Sequence, residues 1–285
     1  MKQYNNHREG DGKMKRIVFS SILVLASASA LAGLFGTKVF AEAKTARELM
    51  DAVHQSYYYA ADGGKAHVTM TLTDKKGRTR TREFWMLRTD IKDMGDQNYY
   101  VYFTKPSDVR KTTVLTLKHA NGDDDRWLYV PAIDLVKRIA SDNKQEAFVG
   151  SDFSYEDVSG RLPLLDTHEF LPDEEYNDKT MKVVKSTPVN QKKSDYVYRK
   201  TWIDPDFLLP VKEEYYSKKD KLIRVFTIDK IEKIEGVPTA VSRTMKNVKK
   251  NHVTTITFTN VTYKVELKPG DYKERLLKNP PRSLR

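Results

Sequence analysis

From Lys65 onward, apolar and polar residues alternate with a period of two over most of the chain. In the first run Val68, Met70 and Leu72 occupy alternate positions, and alternate side chains of a strand face the same side of a sheet. The turn at residues 74–77 leads into a second run, which predicts a β-hairpin. Short turns separate the later runs and predict an antiparallel, meandering sheet. These later runs are residues 97–104, 112–118, 126–130, 181–186, 196–203, 211–216, 222–230, 237–246 and 253–265.

Three strands of this predicted sheet carry large apolar side chains on both faces. They contain residues 83–87 (Glu-Phe-Trp-Met-Leu), 99–103 (Tyr-Tyr-Val-Tyr-Phe) and 222–226 (Leu-Ile-Arg-Val-Phe). Such strands need cover on both sides. A flat sandwich of two sheets provides it, and so does a strongly curved sheet with a helix or an apolar ligand on its concave side. In the last run the apolar residues change from one face of the strand to the other near Asn260. This change predicts a bulge that bends the sheet.

An amphipathic helix is predicted before the first strand. Thr45 and Glu48 form the capping-box pattern, in which an acceptor side chain is followed three residues later by Glu. We expect the helix to end at Gly63–Gly64 and to pack one stripe against another part of the protein. The apolar residues of that stripe recur at helical spacing; they are Ala46, Leu49, Met50, Val53 and Tyr57.

Between residues 131 and 175 the alternation fails, and proline and glycine interrupt a polar stretch. A segment of this length in a compact domain is usually functional or a lid, and its aromatic residues argue against disorder. We predict a short helix at residues 152–158 and a lid with one apolar and one charged face. A helix that only packs over the end of the sheet is the alternative. The lid residues are Phe148, Asp152, Phe153 and Tyr155.

Residues 1–43 have the pattern of an export signal. Met14-Lys15-Arg16 precedes a long apolar stretch, and translation is expected to start at Met14. Small residues at and before Ala41 and Ala43 predict cleavage after one of these two positions. An uncleaved membrane anchor is the alternative, because about twenty weakly polar residues can span a bilayer. Cleavage would leave residues 44–285, which we expect to form a single domain in the periplasm.

The chain contains no cysteine. It therefore has no disulfide and no thiol for an amino-terminal lipid, so the fold depends on its core. Its 50 Lys and Arg outnumber its 39 Asp and Glu; residues 1–43 hold six of the former and three of the latter, which leaves 44 against 36. The excess of positive charge favours anionic partners such as lipid headgroups. Alternatively, it serves only to keep the protein soluble. The export signal argues against nucleic acid as a partner.

No motif predicts catalysis, a metal site or another cofactor. The six histidines lack the close spacing of a zinc pair. Residues 149–152 match the serine-hydrolase turn only superficially, and residues 123–125 lack the further ligands of a calcium loop. We therefore expect a binding protein and not an enzyme.

Three neighbouring segments of the sequence resemble a known family. They are residues 127–130 (Trp-Leu-Tyr-Val), 131–140 (Pro-Ala-Ile-Asp-Leu-Val-Lys-Arg-Ile-Ala) and 148–157 (Phe-Val-Gly-Ser-Asp-Phe-Ser-Tyr-Glu-Asp). On these segments the chain resembles outer-membrane lipoprotein-sorting proteins of the LolA/LolB-like superfamily, in the branch often encoded beside resistance-nodulation-division (RND) transporters. The run from Gly150 to Asp157 is the specific part, and the resemblance covers nearly all of residues 44–285.

This resemblance implies a mainly β (α+β) fold. The expected architecture is a curved antiparallel half-barrel, with helices and a long loop covering the concave face around an apolar chamber for acyl chains. For the tryptophans, burial in an ordinary core is the alternative to a place in the chamber wall. We expect the following residues to line the chamber: Leu49, Val53, Met70, Leu72, Trp85, Leu87, Val101, Phe103, Trp127, Tyr129, Trp202, Phe226 and Phe258.

The function implied by the resemblance is that of a soluble, monomeric periplasmic carrier. It would hold the acyl chains of a lipid or lipoprotein and ferry this cargo towards the outer membrane, without a cofactor. The alternative is a periplasmic adaptor that docks on an inner-membrane RND-type transporter and carries nothing. An open apolar cavity would favour the carrier, and a chamber filled by the protein's own side chains would favour the adaptor.

Overall fold

A computed structural model describes residues 43–91, 95–265, 269–281 and 284. The predicted export signal lies almost entirely in residues 1–42, outside the described residues. Within the described ranges the helices are α1 (Ala46–Tyr58) and α2 (Tyr155–Ser159). The strands are β1 (Gly63–Thr73), β2 (Thr79–Asp90), β3 (Gln97–Lys105), β4 (Thr113–Lys118), β5 (Asp125–Val130), β6 (Leu135–Ile139), β7 (Asp166–Tyr176), β8 (Lys179–Pro188), β9 (Tyr198–Ile203), β10 (Pro210–Tyr216), β11 (Leu222–Ile234), β12 (Val237–Asn247) and β13 (His252–Thr262).

All of these strands belong to one antiparallel sheet, which is curved and open, as predicted. Its order is β6-β5-β4-β3-β2-β1-β13-β12-β11-β10-β9-β8-β7. Two meanders, β1 to β6 and β7 to β13, are joined where β1 pairs with β13. The predicted bulge is confirmed, because Asn260 has a φ of 49° and the β1–β13 register shifts beside it. The alternative of a flat two-sheet sandwich is wrong.

The concave face of the sheet holds the largest hydrophobic core, which we call the inner core. Alternate residues of β1 to β4 and of β10 to β13 contribute to it, as the two-residue period predicts. Residues 140–165, here called the connecting segment, run from one edge strand, β6, to the other, β7, and add aromatic side chains. The inner core includes Val68, Met70, Leu72, Phe84, Val101, Phe103, Phe148, Phe153, Tyr155, Phe226, Met245 and Ile256.

The opposite, convex face of β2 to β5 is covered by the C-terminal residues. Leu277 is fully buried, and its carbonyl accepts a hydrogen bond from Thr113 Oγ1 at 2.8 Å. The hydroxyl of Tyr100 donates to the carbonyl of Leu276 at 2.6 Å. We call this cluster the outer core; it includes Trp85, Leu87, Tyr100, Leu115, Trp127, Tyr129, Tyr272, Leu277 and Leu284.

Helix α1 begins at the predicted capping box. Thr45 Oγ1 accepts a hydrogen bond from Glu48 N at 3.2 Å, and the Glu48 carboxylate accepts one from Thr45 N at 3.2 Å. Its apolar stripe packs on Val184 of β8, Ile203 of β9 and the nearby Leu208, close to the edge strand β7. The helix ends at Tyr58, so the prediction that Gly63–Gly64 ends it is wrong; these glycines begin β1.

Two strands lie in the part of the chain where the alternation fails. Residues 135–139 form β6 and residues 166–176 form β7, the two edges of the sheet. Both have largely exposed or half-exposed side chains, because an edge strand has fewer neighbours to bury it. The predicted excursion over residues 131–175 is therefore too long, and the connecting segment is its central part.

The outer core predicts unequal effects of two neighbouring leucines. Leu277 is 0% exposed, whereas Leu276 is half-buried. We expect Leu277→Ala to lower the free energy of unfolding by about 2–4 kcal/mol, through lost burial and the cavity left behind. Leu276→Ala, as the matched control, should lower it by about 1 kcal/mol or less. Urea unfolding followed by tryptophan fluorescence measures both, and equal losses would contradict this account of the C-terminal cover.

Candidate ligand-binding cavity

The connecting segment crosses the concave face and inserts aromatic side chains into the inner core. The ring of Phe148 lies 6.3 Å from the rings of Phe84 and Phe103, and the ring of Phe153 lies 6.4 Å from that of Phe226. Both inserted side chains are buried, at distances typical of aromatic pairs. The predicted lid is therefore packed into the core and does not lie loosely over it.

Local sequence determines the helix within this segment. Ser154 Oγ accepts a hydrogen bond from Asp157 N at 3.0 Å, and the Asp157 carboxylate accepts one from Ser154 N at 2.7 Å. Because Ser154 is the N-cap, α2 begins at Tyr155, three residues later than the predicted start at residue 152. Gly160 ends the helix with a φ of 83°, and a Cβ there would lie 2.8 Å from the Tyr58 ring. Glycine therefore permits both the backbone conformation and the close approach of α1.

Polar contacts hold the edges of the segment to the sheet. The Asp152 carboxylate accepts a hydrogen bond from Thr254 Oγ1 at 2.7 Å and lies 2.5 Å from His252 Nδ1. Farther along, Arg224 Nη2 lies 2.6 Å from the Asp157 carboxylate. The segment is thus a cover that is apolar at its centre and held by specific polar contacts at its rim.

A cavity lies between the connecting segment, α1 and the concave face. Its volume is about 90 Å³, which is room for about three water molecules. Helix α1 contributes Met50, Val53, Tyr57 and Tyr58 to its wall. The apolar residues that the strands and the connecting segment contribute include Phe84, Met86, Val101, Phe148, Phe153, Phe226, Met245, Ile256 and Phe258.

The remaining wall of the cavity contains paired charges. Arg161 lies 2.9 Å from Glu156 and 2.8 Å from Asp166. Arg199 lies 3.3 Å from Glu213 and 3.6 Å from Asp166. Each of these side chains is largely buried, and an unpaired charge at such depth would be strongly unfavourable. The arginines and acids therefore depend on one another.

Two further arginines complete this polar wall. Arg224 lies 3.8 Å from Asp195, in addition to its contact with the connecting segment. Arg243 is placed differently: its guanidinium lies 4.9 Å from the ring centre of Tyr57 and 4.4 Å from that of Phe258. Cation–π contacts of this kind favour a cation at the edge of an apolar space.

Burial and neighbouring charges determine the protonation states here. Burial raises the pKa of Glu156, but Arg161 and Lys144 outweigh it and lower that pKa to about 2. Burial, aided by Lys118 and Arg199, lowers the pKa of His54 well below its usual range, so this imidazole is neutral at pH 7. The cavity wall therefore contains an ionised Glu156 carboxylate beside Arg161 and a neutral His54 imidazole.

A larger groove, of about 550 Å³, opens beside the cavity, and Glu156 and Arg161 border both. Burial lowers the pKa of Lys118, in the groove wall, to about 8. Two apolar side chains at its edge, Leu164 and Val189, are 51% and 68% exposed. The cavity thus adjoins a basic surface groove through shared side chains.

The structure brings together part of the predicted chamber. Val53, Val101, Phe226 and Phe258 line the cavity, as do Phe148 and Phe153 of the predicted lid. Met70, Leu72, Phe103 and Tyr155 belong to the same inner core without lining the cavity, and Asp152 lies at the rim of the cover.

Six residues assigned to the chamber lie elsewhere, and their placement is a correction. Adjacent strand residues face opposite sides of a sheet, so the inward Phe84 and Met86 turn their neighbours outward. Leu49 packs between α1 and the sheet, and Trp202 lies in a separate cluster with Val183. The other four belong to the outer core, which faces away from the cavity; they are Trp85, Leu87, Trp127 and Tyr129.

Sequence reasoning missed the arginines of the polar wall. Arg199 precedes Thr201 and Ile203 in the inward phase of β9, and Arg224 precedes Phe226 in the inward phase of β11. A charged residue in the apolar phase of a strand is the signal that could have identified them, since such a charge must find a partner.

Metal sites and membrane-spanning helices are two features that the described residues lack. No group of three or more His, Cys, Asp or Glu side chains in that part of the chain could hold a metal ion. No helix there is long and apolar enough to cross a bilayer.

The Glu156 carboxylate predicts a pH-dependent stability. Its pKa rises from about 2 in the folded protein to its ordinary value of 4.5 in the unfolded chain, so its stabilisation is present above pH 4.5 and lost as pH falls towards 2. The shift corresponds to about 3 kcal/mol. Urea unfolding at a series of pH values should show a smaller loss of stability in this window for Glu156→Gln than for the parent protein.

The matched control for this experiment is Glu169→Gln. The Glu169 side chain is 61% exposed and pairs with Lys185 at the surface. This variant should keep the pH dependence of the parent protein. An unchanged pH dependence in Glu156→Gln would show that the buried ion pairs do not act as described.

Comparison with known proteins places this architecture in a family. A family model described only as "uncharacterized protein" matches residues 95–279, more than half of the chain. A search of curated proteins finds no match.

Solved structures give the wider relationship. A candidate outer membrane lipoprotein-sorting protein domain from Vibrio parahaemolyticus is 26% identical, with a TM-score of 0.75 over 82% of this chain and 98% of that one. A DUF1329 family protein from Desulfovibrio piger is 25% identical, with a TM-score of 0.73 over 86% and 99% of the two chains. A LolA superfamily protein from Nitrosomonas europaea, 16% identical over 82% and 99% of the two chains, shares the fold with a TM-score of 0.63. The chain therefore belongs to this family of uncharacterized proteins and shares the fold of a LolA superfamily protein.

Proposed function

We propose that this protein is a soluble periplasmic carrier. It binds the acyl chains of a lipid or lipoprotein beneath the connecting segment and ferries this cargo towards the outer membrane, as a monomer and without catalysis. Residues 1–43 act as an export signal that is cleaved after Ala41 or Ala43, and residues 44–285 form the carrier domain. The similarity to a lipoprotein-sorting domain supports this proposal.

The observation that carries the proposal is the apolar cavity under a separable cover. The cover lies between the two edges of an open sheet and contacts the concave face through Phe148 and Phe153. Apolar cargo that replaces these aromatic contacts keeps the concave face away from water. Burial of an acyl chain gains about 0.8 kcal/mol per methylene, which favours transfer of the chain out of water.

Cargo binding requires the cavity to enlarge. A volume of about 90 Å³ is well below the roughly 300–1,000 Å³ typical of small-molecule sites. The contacts of Asp152 with Thr254 and His252 lie at the rim of the cover, and their release would let the cover move as a lid. The proposal therefore requires the cover to move away from the concave face when cargo enters.

The first test is direct detection of cargo. Protein expressed with its own export signal and purified from the periplasm without detergent should carry an acylated molecule, seen as a mass increase by native mass spectrometry and identified after organic extraction. A periplasmic protein of unrelated fold, purified in parallel, is the control for adventitious lipid. Persistent absence of any lipid or lipoprotein would contradict the carrier function.

The second test locks the lid. Asp152 and Thr254 are joined by side-chain contacts of 2.7 Å, and the chain contains no cysteine, so Asp152→Cys with Thr254→Cys introduces a single thiol pair. The oxidised, empty protein should fail to take up a phosphatidylethanolamine that carries a fluorescent acyl chain. Reduction should restore uptake, because it frees the lid.

The single variant Asp152→Cys is the matched control for the lock. It loses the same rim contacts but cannot form the intramolecular disulfide, so oxidation should leave its uptake unchanged. Equal uptake by the oxidised and reduced double variant would show that cargo does not enter beneath the connecting segment.

A periplasmic adaptor remains the second candidate, because one observation favours it. Phe148 and Phe153 pack into the inner core beneath the cover, as expected if the protein docks on an RND-type inner-membrane transporter and carries nothing. An adaptor would remain free of lipid in the first test, and the locked variant would retain full transporter binding and activity.

A further inference from the structure

Four polar atoms that line the cavity are buried without a hydrogen-bond partner among the described residues. They are Nε2 of His54, the hydroxyl of Tyr196, Nε of Arg199 and Nε of Arg224. The exposed fractions of these residues are 5%, 5%, 8% and 8%. Buried polar groups of folded proteins nearly always have partners, so a concentration of exceptions at one cavity indicates that a ligand supplies them.

Three of these groups, on Tyr196, Arg199 and Arg224, lie around Tyr215 and Glu213 and form one polar end of the cavity. The Tyr196 ring lies 5.1 Å from the Tyr215 ring, and the guanidinium of Arg224 lies 4.5 Å from the centre of that same ring. Burial raises the pKa of the Tyr196 hydroxyl, although the positive charges of Arg199 and Arg161 act to lower it. The hydroxyl therefore remains a neutral donor beside two guanidinium groups.

The missing partner is a hydrogen-bond acceptor, because Arg Nε and the tyrosine hydroxyl donate. Charge balance further restricts its chemistry. Arg199 is already paired with Glu213, and Arg224 with Asp157. An added anion would be close to these carboxylates in a site of low polarity, whereas a neutral oxygen can accept the free N–H and O–H groups without that repulsion.

We infer that the polar end of the cavity binds neutral carbonyl oxygens of an acylated cargo, at the ester or amide linkages from which its apolar chains extend. This inference rests on the proposed function and names the part of the cargo that is recognised. The chains then lie along the apolar wall formed by Phe84, Val101 and Phe226. Binding does not require any contact between the arginines and the rest of the cargo.

The test compares two lipids that differ only in carbonyl groups. They are dipalmitoyl phosphatidylethanolamine, which is ester-linked, and its dihexadecyl ether counterpart. Binding of each to the full mature protein is measured by displacement of a fluorescent phosphatidylethanolamine. Tyr196→Phe removes only the hydroxyl and should weaken binding of the ester lipid about three- to tenfold, with little effect on the ether lipid.

Tyr198→Phe is the matched control. Tyr198 is two residues away on β9, but its ring stacks on Tyr216 and its hydroxyl donates to Asp220 at 3.2 Å near the surface. This variant should bind both lipids as the parent protein does. The empty Tyr196→Phe protein should have a urea midpoint no lower than that of the parent, because no protein partner is lost.

Each other outcome has a defined meaning. Equal binding of the two lipids by the parent protein, with no effect of Tyr196→Phe, contradicts carbonyl recognition and leaves the carrier function intact. Binding of neither lipid contradicts both proposals. A second pair, methyl palmitate and palmitate, tests the charge: stronger hydroxyl-dependent binding of the carboxylate would overturn the assignment of a neutral acceptor.

Discussion

The rest of the structure depends on the need to cover both faces of one open sheet. Strands β2 and β3 carry large apolar groups on each side, and exposure of either face to water would be unfavourable. The C-terminal residues cover the convex face, with Leu277 fully buried. The connecting segment and α1 cover the concave face. The concave cover encloses the cavity and the buried ion pairs of Arg161 and Arg199.

Two kinds of contact hold the concave cover on the sheet. The aromatic contacts of Phe148 and Phe153 are apolar and non-directional. The ion pairs of Arg161 and Arg224 with acids on or beside the segment require defined partners. Buried ion pairs of this type add little net stability, but the loss of one partner is costly. The pair of Arg224 with Asp157 therefore fixes the position of the cover on the sheet.

The sequence predicted what depends on local pattern. The α1 capping box, most strand positions and the Asn260 bulge follow from spacing along the chain, and the family resemblance supplied the curved half-barrel. The edge strands β6 and β7 were missed because their exposed side chains lack alternation. Trp85 was assigned to the wrong face because a one-residue change of phase reverses every side chain of a strand. Arg199 meets Asp166 only through the fold.

The pairing of β1 with β13 has a consequence for how the chain reaches this fold. Within the described sheet it is the one neighbouring pair that is not consecutive in the chain, and it joins Thr73 to Val253. As the polypeptide is synthesised, β1 can pair with β2 at once. Its other edge stays open until almost all remaining residues have been added. An apolar strand with an unpaired edge is prone to associate with other chains, so the newly made chain is most vulnerable to aggregation before β1 pairs with β13.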